Sequence, residues 1–368
     1  MSKAAELAAL IGSGQAQGNK NLIINGAMNV AQRSTSATGV GSAGDVYPAV
    51  DRFAVSASTS GRLTVSQSSV TDLPGFANAL KLDCTTADTS VAASEYLLLS
   101  TRLEGQNVQQ LKKGTSSAEA FTVSFYIKGN ANATYALELN DSDNGRQYSQ
   151  LVPVTSSWNR VSLTYAGDTT GALDDDNAIS LQLVFWLHAG STYNSGTLNT
   201  AWAATTNANR AVGISSLLDS TDRTLEITGL QLEIGEVATP FEHEDIGTTL
   251  YKCQRYFENL TFANATVITV GQVYSSNTDA AADLRYNVPK RDTPAIAVPS
   301  VGRSSGNINF LNANAGFVAT SDGTITAVYI GTQQCTLFAD GYNAFSADGD
   351  ASWVYSYGTN TFTIDAEL

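Results

Sequence analysis

The stretch GLQLEIGEVATPFEHEDIGTTLYKCQRYFE, Gly229 to Glu258, changes its period halfway along. Leu230, Leu232 and Ile234 fall at every second position, the spacing of a strand with one buried face. Pro240 has no amide hydrogen for a central ladder, so the sheet is expected to end before it. Asp245 then stands as an N-cap to a segment in which Ile246, Leu250, Cys253 and Phe257 recur at helical intervals. A strand, a break and a short helix in mid-chain predict a joint between two β units.

The strand period dominates on both sides of this stretch. In FTVSFYIKG, Phe121, Val123, Phe125 and Ile127 share one face, and Tyr126 shares the other with Lys128. In ISLQLVFWLHAG, Leu181, Leu183, Phe185 and Leu187 form the inward set, which leaves Gln182, Val184, Trp186 and His188 opposite. TYALELNDSDNGRQYSQLVPV reads as a hairpin, with Tyr135, Leu137 and Leu139 inward and Glu138 facing away. In LEITGLQLEIG the inward Leu225 and Ile227 are followed by Leu230, a one-residue phase change that predicts a β-bulge at Gly229. Many strands without intervening helices point to an antiparallel sandwich. Past Leu260 the signals resume in TVITVGQVY, TITAVYIG, WVYSYG and NTFTIDAEL, so a second β unit is expected. At the other end, Ser2 caps a helical stripe of Ala4, Leu7, Ala8, Leu10 and Ile11 that Gly12 stops.

Bulk properties narrow the function. A length of 368 residues fits two units. A net charge of -14 without clustered Lys and Arg argues against nucleic acid. Cys84, Cys253 and Cys335 are odd in number and lack metal spacing, so buried free thiols and folding in a reducing cytosol are expected. No apolar run suits a signal peptide or a membrane span. His188 and His243 lie in no nucleophile or zinc motif, and no enzyme is expected. NDSDNG and LDDDN offer oxygens to calcium without the EF-hand spacing, and hairpin turns account for both.

Several stretches together resemble phage tail-fibre and virion structural proteins that carry a jelly-roll domain related to family 4/9 carbohydrate-binding modules. They are NLIINGAMNVAQR (Asn21–Arg33), DRF (Asp51–Phe53), TSSWNRVSLTYAGDTTG (Thr155–Gly171), LQLVFWLHAGS (Leu181–Ser191), LLDSTDRTLEITGLQLEIGEVATPFEHE (Leu217–Glu244) and CQRYFE (Cys253–Glu258). SKAAELAALIG is similar to the virion-anchoring start of some phage structural proteins. The resemblance implies a virion location, a homotrimer, attachment to another virion protein through Leu7, Leu10 and Ile11, and a sugar-binding type of sandwich. It implies no cofactor, with a structural calcium near the start of the domain as an option.

The expected architecture is therefore all-β. An anchoring helix and Gly-rich linker (1–20) precede a jelly-roll β-sandwich (21–244), a linking helix (245–259) and a second, smaller β-sandwich (260–368). Sugars are held by aromatic faces with amides and carboxylates on their hydroxyls. Trp186, Tyr126, Gln182, His188 and Glu138 are the candidate glycan residues, drawn as one exposed sheet face. That face packing on a loop or another subunit is the competing reading. Trp158, beside a turn, is read as structural; Trp202 and Tyr193 fall in the long polar loop STYNSGTLNTAWAATTNANR, expected to cover a sandwich edge or meet a neighbouring subunit. Trp353, Tyr355 and Tyr357 share a strand face, suited to core, trimer interface or a receptor-contacting tip. Two functions stay open: a fibre that binds host-surface glycan, and a purely structural capsid or tail decoration.

Overall fold

The computed structural model describes residues 20–42, 44–275, 278–312, 323–342 and 349–368. The anticipated N-terminal helix, with Leu7, Leu10 and Ile11, lies outside them. The chain forms two compact units, one running to Thr249 and one spanning Leu250–Glu367.

In the first unit the strands are β1 (Ser36–Val40), β2 (Ala54–Ser58), β3 (Arg62–Ser69), β4 (Asn78–Thr86), β5 (Tyr96–Glu104) and β6 (Phe121–Gly129). They continue as β7 (Ala133–Asp141), β8 (Arg146–Val154), β9 (Asn159–Tyr165), β10 (Ile179–Ala189), β11 (Ala203–Ala204) and β12 (Thr224–Ile234). A one-turn helix, α1 (Ser191–Asn194), follows β10. Two six-stranded antiparallel sheets result, ordered β1-β3-β4-β12-β6-β9 and β11-β8-β7-β10-β5-β2. They face each other as a jelly-roll β-sandwich. The inward sets read from alternation fill its core: Val123, Phe125 and Ile127 meet Leu137, Leu139, Leu181, Leu183 and Phe185, all buried. Each such side chain withdraws roughly 1.5–3 kcal/mol worth of apolar surface from water. The bulge stands where expected, since Thr228 pairs with Tyr126 but Gln231 with Ser124, and Gly229 takes φ +63°.

After β12 the chain does more than stop at Pro240. It folds back over the outer side of its own strand. Thr239 gives its N–H (2.8 Å) and hydroxyl (2.7 Å) to the buried Glu233 carboxylate, and the Glu242 N–H reaches the Gln231 side-chain oxygen at 2.8 Å. Helix α2 (Ile246–Gln254) follows, capped as anticipated by Asp245, whose carboxylate accepts the N–H of Gly247 at 2.9 Å and of Thr248 at 3.3 Å. The anticipated stripe needs correction at its ends: Ile246 is 54% exposed, and Phe257 opens a strand instead of closing the helix.

The second unit contains β13 (Phe257–Phe262), β14 (Thr266–Ser275), β15 (Asp279–Arg285), β16 (Ala295–Ala297) and β17 (Asn307–Asn312). Then come β18 (Thr324–Val328), β19 (Gln334–Asp340), β20 (Ala351–Tyr357) and β21 (Asn360–Asp365). Its sheets are ordered β13-β21-β16 and β17-β20-β14-β15-β19-β18, around a core that includes Leu260, Leu284, Phe310, Leu337, Val354 and Phe362. In β20 the inward positions are Ser352, Val354 and Ser356; Trp353, Tyr355 and Tyr357 are half-buried on the opposite face, so they are not core. All three cysteines are free and buried, as the odd count predicted. Among the described residues no helix is long and apolar enough to cross a membrane.

Candidate functional site

Alternation placed Gln182, Trp186 and His188 on the outer side of β10, and Glu138 beside them on β7, where Val184 pairs with Glu138. The reading of this side as an open glycan face is corrected, and the competing one, packing on a loop, is what the structure shows. Residues 190–216 return across it, tied to β7 by Ser215 N–H to Thr134 O (2.6 Å) and to β8 by Ser149 N–H to Asn199 O (2.7 Å). Trp186 is only 1% exposed, packed with Ala136, Val184, Ala211, Tyr193 and Ile214. Its indole N–H donates to Glu138 at 3.1 Å, Arg210 Nε donates to the same carboxylate at 2.9 Å, and the guanidinium lies 4.9 Å from the indole centre. His188 and Glu138 are buried too, and half-buried Gln182 donates to Ser142 at 2.8 Å. Burial holds the His188 imidazole below its usual pKa, against the pull of Asp88 and Glu95. The physical reason is that period fixes which side of a sheet a residue takes, whereas cover comes from distant chain. Trp202 in the same long segment caps the sandwich edge, its N–H on Ala166 O at 2.8 Å and its ring 5.9 Å from Tyr148.

Tyr126 belongs to the other sheet, so the five candidates do not share one face. What surrounds it is a half-open aromatic surface that alternation did not reveal. Phe76, from the turn between β3 and β4, has its ring 5.2 Å from Tyr126, from Phe241 and from His243. Phe241 and His243 come from the fold-back after Pro240 and stand 4.9 Å apart. The rings rest on the bulge. A Cβ at Gly229 would sit 2.8 Å from the Phe76 ring and 3.1 Å from that of Tyr126. Gly229→Ala is therefore expected to destabilise the first unit by about 1–2 kcal/mol, the cost of a left-handed non-glycine residue, and to displace Phe76. An unchanged urea midpoint would show that the rings do not need bare backbone there.

A charged rim adjoins the rings. Lys128 lies on the same face of β6 as Tyr126 and pairs across the ladder with Glu226 of β12. Its ammonium is 3.0 Å from Asp72, 3.8 Å from Glu226 and 4.8 Å from the centre of the Trp158 ring. The Trp158 N–H donates to Asp72 at 2.8 Å. That hydrogen bond first, and Lys128 second, hold the Asp72 carboxyl below its ordinary pKa, so it stays an acceptor. Trp158, read as structural, thus also orients a polar group at the rim. Aromatic rings fixed with one side wet, beside an ammonium and two carboxylates, suit the C–H face and hydroxyls of a sugar ring. Phe76, Phe241 and His243 were missed because each sits in an aperiodic turn. The available signal was a ring-bearing turn flanked by glycine, PGF, opposite a bulge.

Other sites are weaker. The acidic turns are occupied by protein donors: Asp141 accepts Lys113 and the Asn144 N–H (3.0 Å), and Asp143 accepts the Asp174 N–H at 2.9 Å. An open groove of about 1150 Å³ along β13, β14 and β15 is lined by Thr261, Gly271, Ala281 and Asp283, with Phe262 as its ring.

The first unit is thus a jelly-roll β-sandwich with an aromatic surface on one outer face. No family model matches the sequence, and no curated protein matches it. Solved structures similar to it include a family 4 carbohydrate-binding module, at 11% identity and TM-score 0.31, covering 57% of this chain and 98% of that one. A family 22 xylan-binding domain from Paenibacillus barcinonensis is similar at 12% identity and TM-score 0.29, over 61% of this chain and 99% of that one. The enzymatically active domain of tailspike protein 4 of bacteriophage CBA120 is similar at 11% identity and TM-score 0.32, over 59% of this chain and 22% of that one.

Proposed function

We propose that this chain is a non-enzymatic fibre subunit of a phage particle, and that it binds host-surface glycan through the Tyr126 face of its first sandwich. The observation that carries the binding reading is the half-open Tyr126–Phe76 ring pair next to Lys128, Asp72 and Glu226. The virion reading is supported by the sequence resemblance of residues 21–258 to fibre proteins. In this reading the chains form a homotrimer held to another virion protein by their N-termini. Three weak sites on one fibre raise the effective concentration of each other's ligand, so modest single contacts give firm adsorption. No reaction is assigned, and no membrane insertion or nucleic acid is involved.

A glycan array probed with the full-length chain tests this. Tyr126→Ala is expected to weaken binding about thirtyfold, the ~2 kcal/mol of a ring at a binding hot spot, with unchanged circular dichroism. Phe76→Ala is expected to act in the same direction. Binding that survives both replacements at full strength would refute the assigned face. If the wild-type chain fails to bind host envelope material at all, the purely structural decoration replaces it.

A further inference from the structure

Asp88, Glu95 and His188 converge although they are distant in sequence. His188 pairs with Leu97 and Ala189 with Tyr96, which sets the end of β10 beside the entrance to β5 and hence beside Glu95. Asp88, in the turn between β4 and β5, is fixed by its own N–H to Leu218 O at 2.7 Å. A ring nitrogen of His188 and one carboxylate oxygen from each acid lie within 4.8 Å of one another.

Each donor is held from behind. Asp88 accepts the Thr59 hydroxyl at 2.5 Å and the backbone N–H of Ser60 at 3.1 Å, and its other oxygen takes the Ser90 N–H at 3.3 Å. Glu95 accepts the Ala92 N–H at 2.6 Å. His188 Nδ1 is 2.7 Å from the Ser216 hydroxyl, which also accepts the Leu218 N–H at 3.0 Å. That leaves Nε2 of His188, a fully buried residue, with no hydrogen-bond partner. A buried polar nitrogen is rarely left so, and the cost needs an explanation. An imidazole held through Nδ1, with Nε2 unpartnered and the ring gathered with two oriented carboxylates, is the arrangement that second-shell partners give to metal ligands.

We propose that Asp88, Glu95 and His188 bind a divalent cation of the zinc class, with water completing the coordination. One imidazole and two carboxylates suit zinc's four-coordinate preference, at about 2.0–2.2 Å from each donor. Calcium wants six to eight oxygens and gains little from imidazole. The cation ties the β4–β5 turn to the end of β10, under the start of the segment that covers Trp186. The competing arrangement is a protonated His188 bridging the two acids without metal.

Titration calorimetry of the chelator-stripped full-length chain with zinc chloride, then calcium chloride, decides between them. One equivalent of zinc is expected, with a raised thermal midpoint, and calcium is expected to produce neither. Glu95→Gln, which keeps a side-chain oxygen for the Ala92 N–H at a half-buried position, is expected to weaken zinc at least about tenfold with the metal-free thermal midpoint unchanged. Cobalt added to the wild type is expected to give visible absorption that His188→Gln removes. The proposal falls if the wild type takes up no stoichiometric zinc, or if Glu95→Gln binds it as tightly as the wild type.

Discussion

Lys290→Met is expected to destabilise the Leu250–Glu367 unit by about 3–5 kcal/mol, the cost of breaking a buried ion pair by removing one partner. Lys290 and Glu258 are 2.6 Å apart with both side chains 0% exposed. The ammonium also donates to Gln254 O at 2.6 Å and Val288 O at 3.0 Å, while the other Glu258 oxygen accepts the Asn287 N–H at 3.1 Å. Burial pulls the Lys290 ammonium below its usual pKa, and the Glu258 carboxylate holds it up. Methionine fills the volume but leaves a buried carboxylate and two carbonyls without their shared donor, which is why the loss exceeds the net worth of the pair. The double variant Glu258→Leu, Lys290→Met is expected to regain most of it, because replacing both charges with apolar groups removes the stranded one. Hydrogen exchange read on peptides from β13 and β21 measures the unit separately from the rest of the chain. If Lys290→Met costs under ~1 kcal/mol there, water reaches the pair and the burial argument fails.

Much of the architecture was legible because it rests on local period. Phe121, Val123, Phe125 and Ile127 point into the sandwich as alternation requires, and the phase change at Gly229 marks a real bulge. Asp245 caps the helix after Pro240 for equally local reasons. The candidate site was legible only in part. Tyr126 was named, but it was grouped with residues of the other sheet, since single-strand periods carry no information on which strands become neighbours. Its companions Phe76, Phe241 and His243 are brought in by turns without period. Cover was the least legible quantity. The segment after Gly190 is polar in composition, yet it delivers Tyr193, Ala211 and Ile214 to Trp186 and one guanidinium to Glu138. Those few residues seal a face that the strand sequence alone presents as open.

The same contact makes the second large prediction. Arg210→Ala is expected to destabilise the first unit by about 3–5 kcal/mol and to loosen the cover over β10. Glu138 is fully buried, and without Arg210 its partners are the Trp186 indole at 3.1 Å and the Asn140 amide at 3.4 Å. A dry carboxylate with so little compensation costs more than the segment gains from its apolar contacts, so residues 190–216 should lift. Trp186 reports this once its share of the emission is isolated by difference against the same chains carrying Trp186→Phe: that share is expected to shift to the red in Arg210→Ala and to stay blue in the wild type. Glu138→Gln combined with Arg210→Ala removes the stranded charge, and the cycle should show coupling of at least ~1.5 kcal/mol between the two positions. The lifted variant also separates the proposed Tyr126 face from the covered Trp186 face as the place where ligand binds. Binding through Tyr126 is expected to persist in Arg210→Ala, because that face lies on the opposite sheet. If glycan binding instead rises as Trp186 becomes wet, and then vanishes with Trp186→Ala, the covered face is the one that meets the ligand.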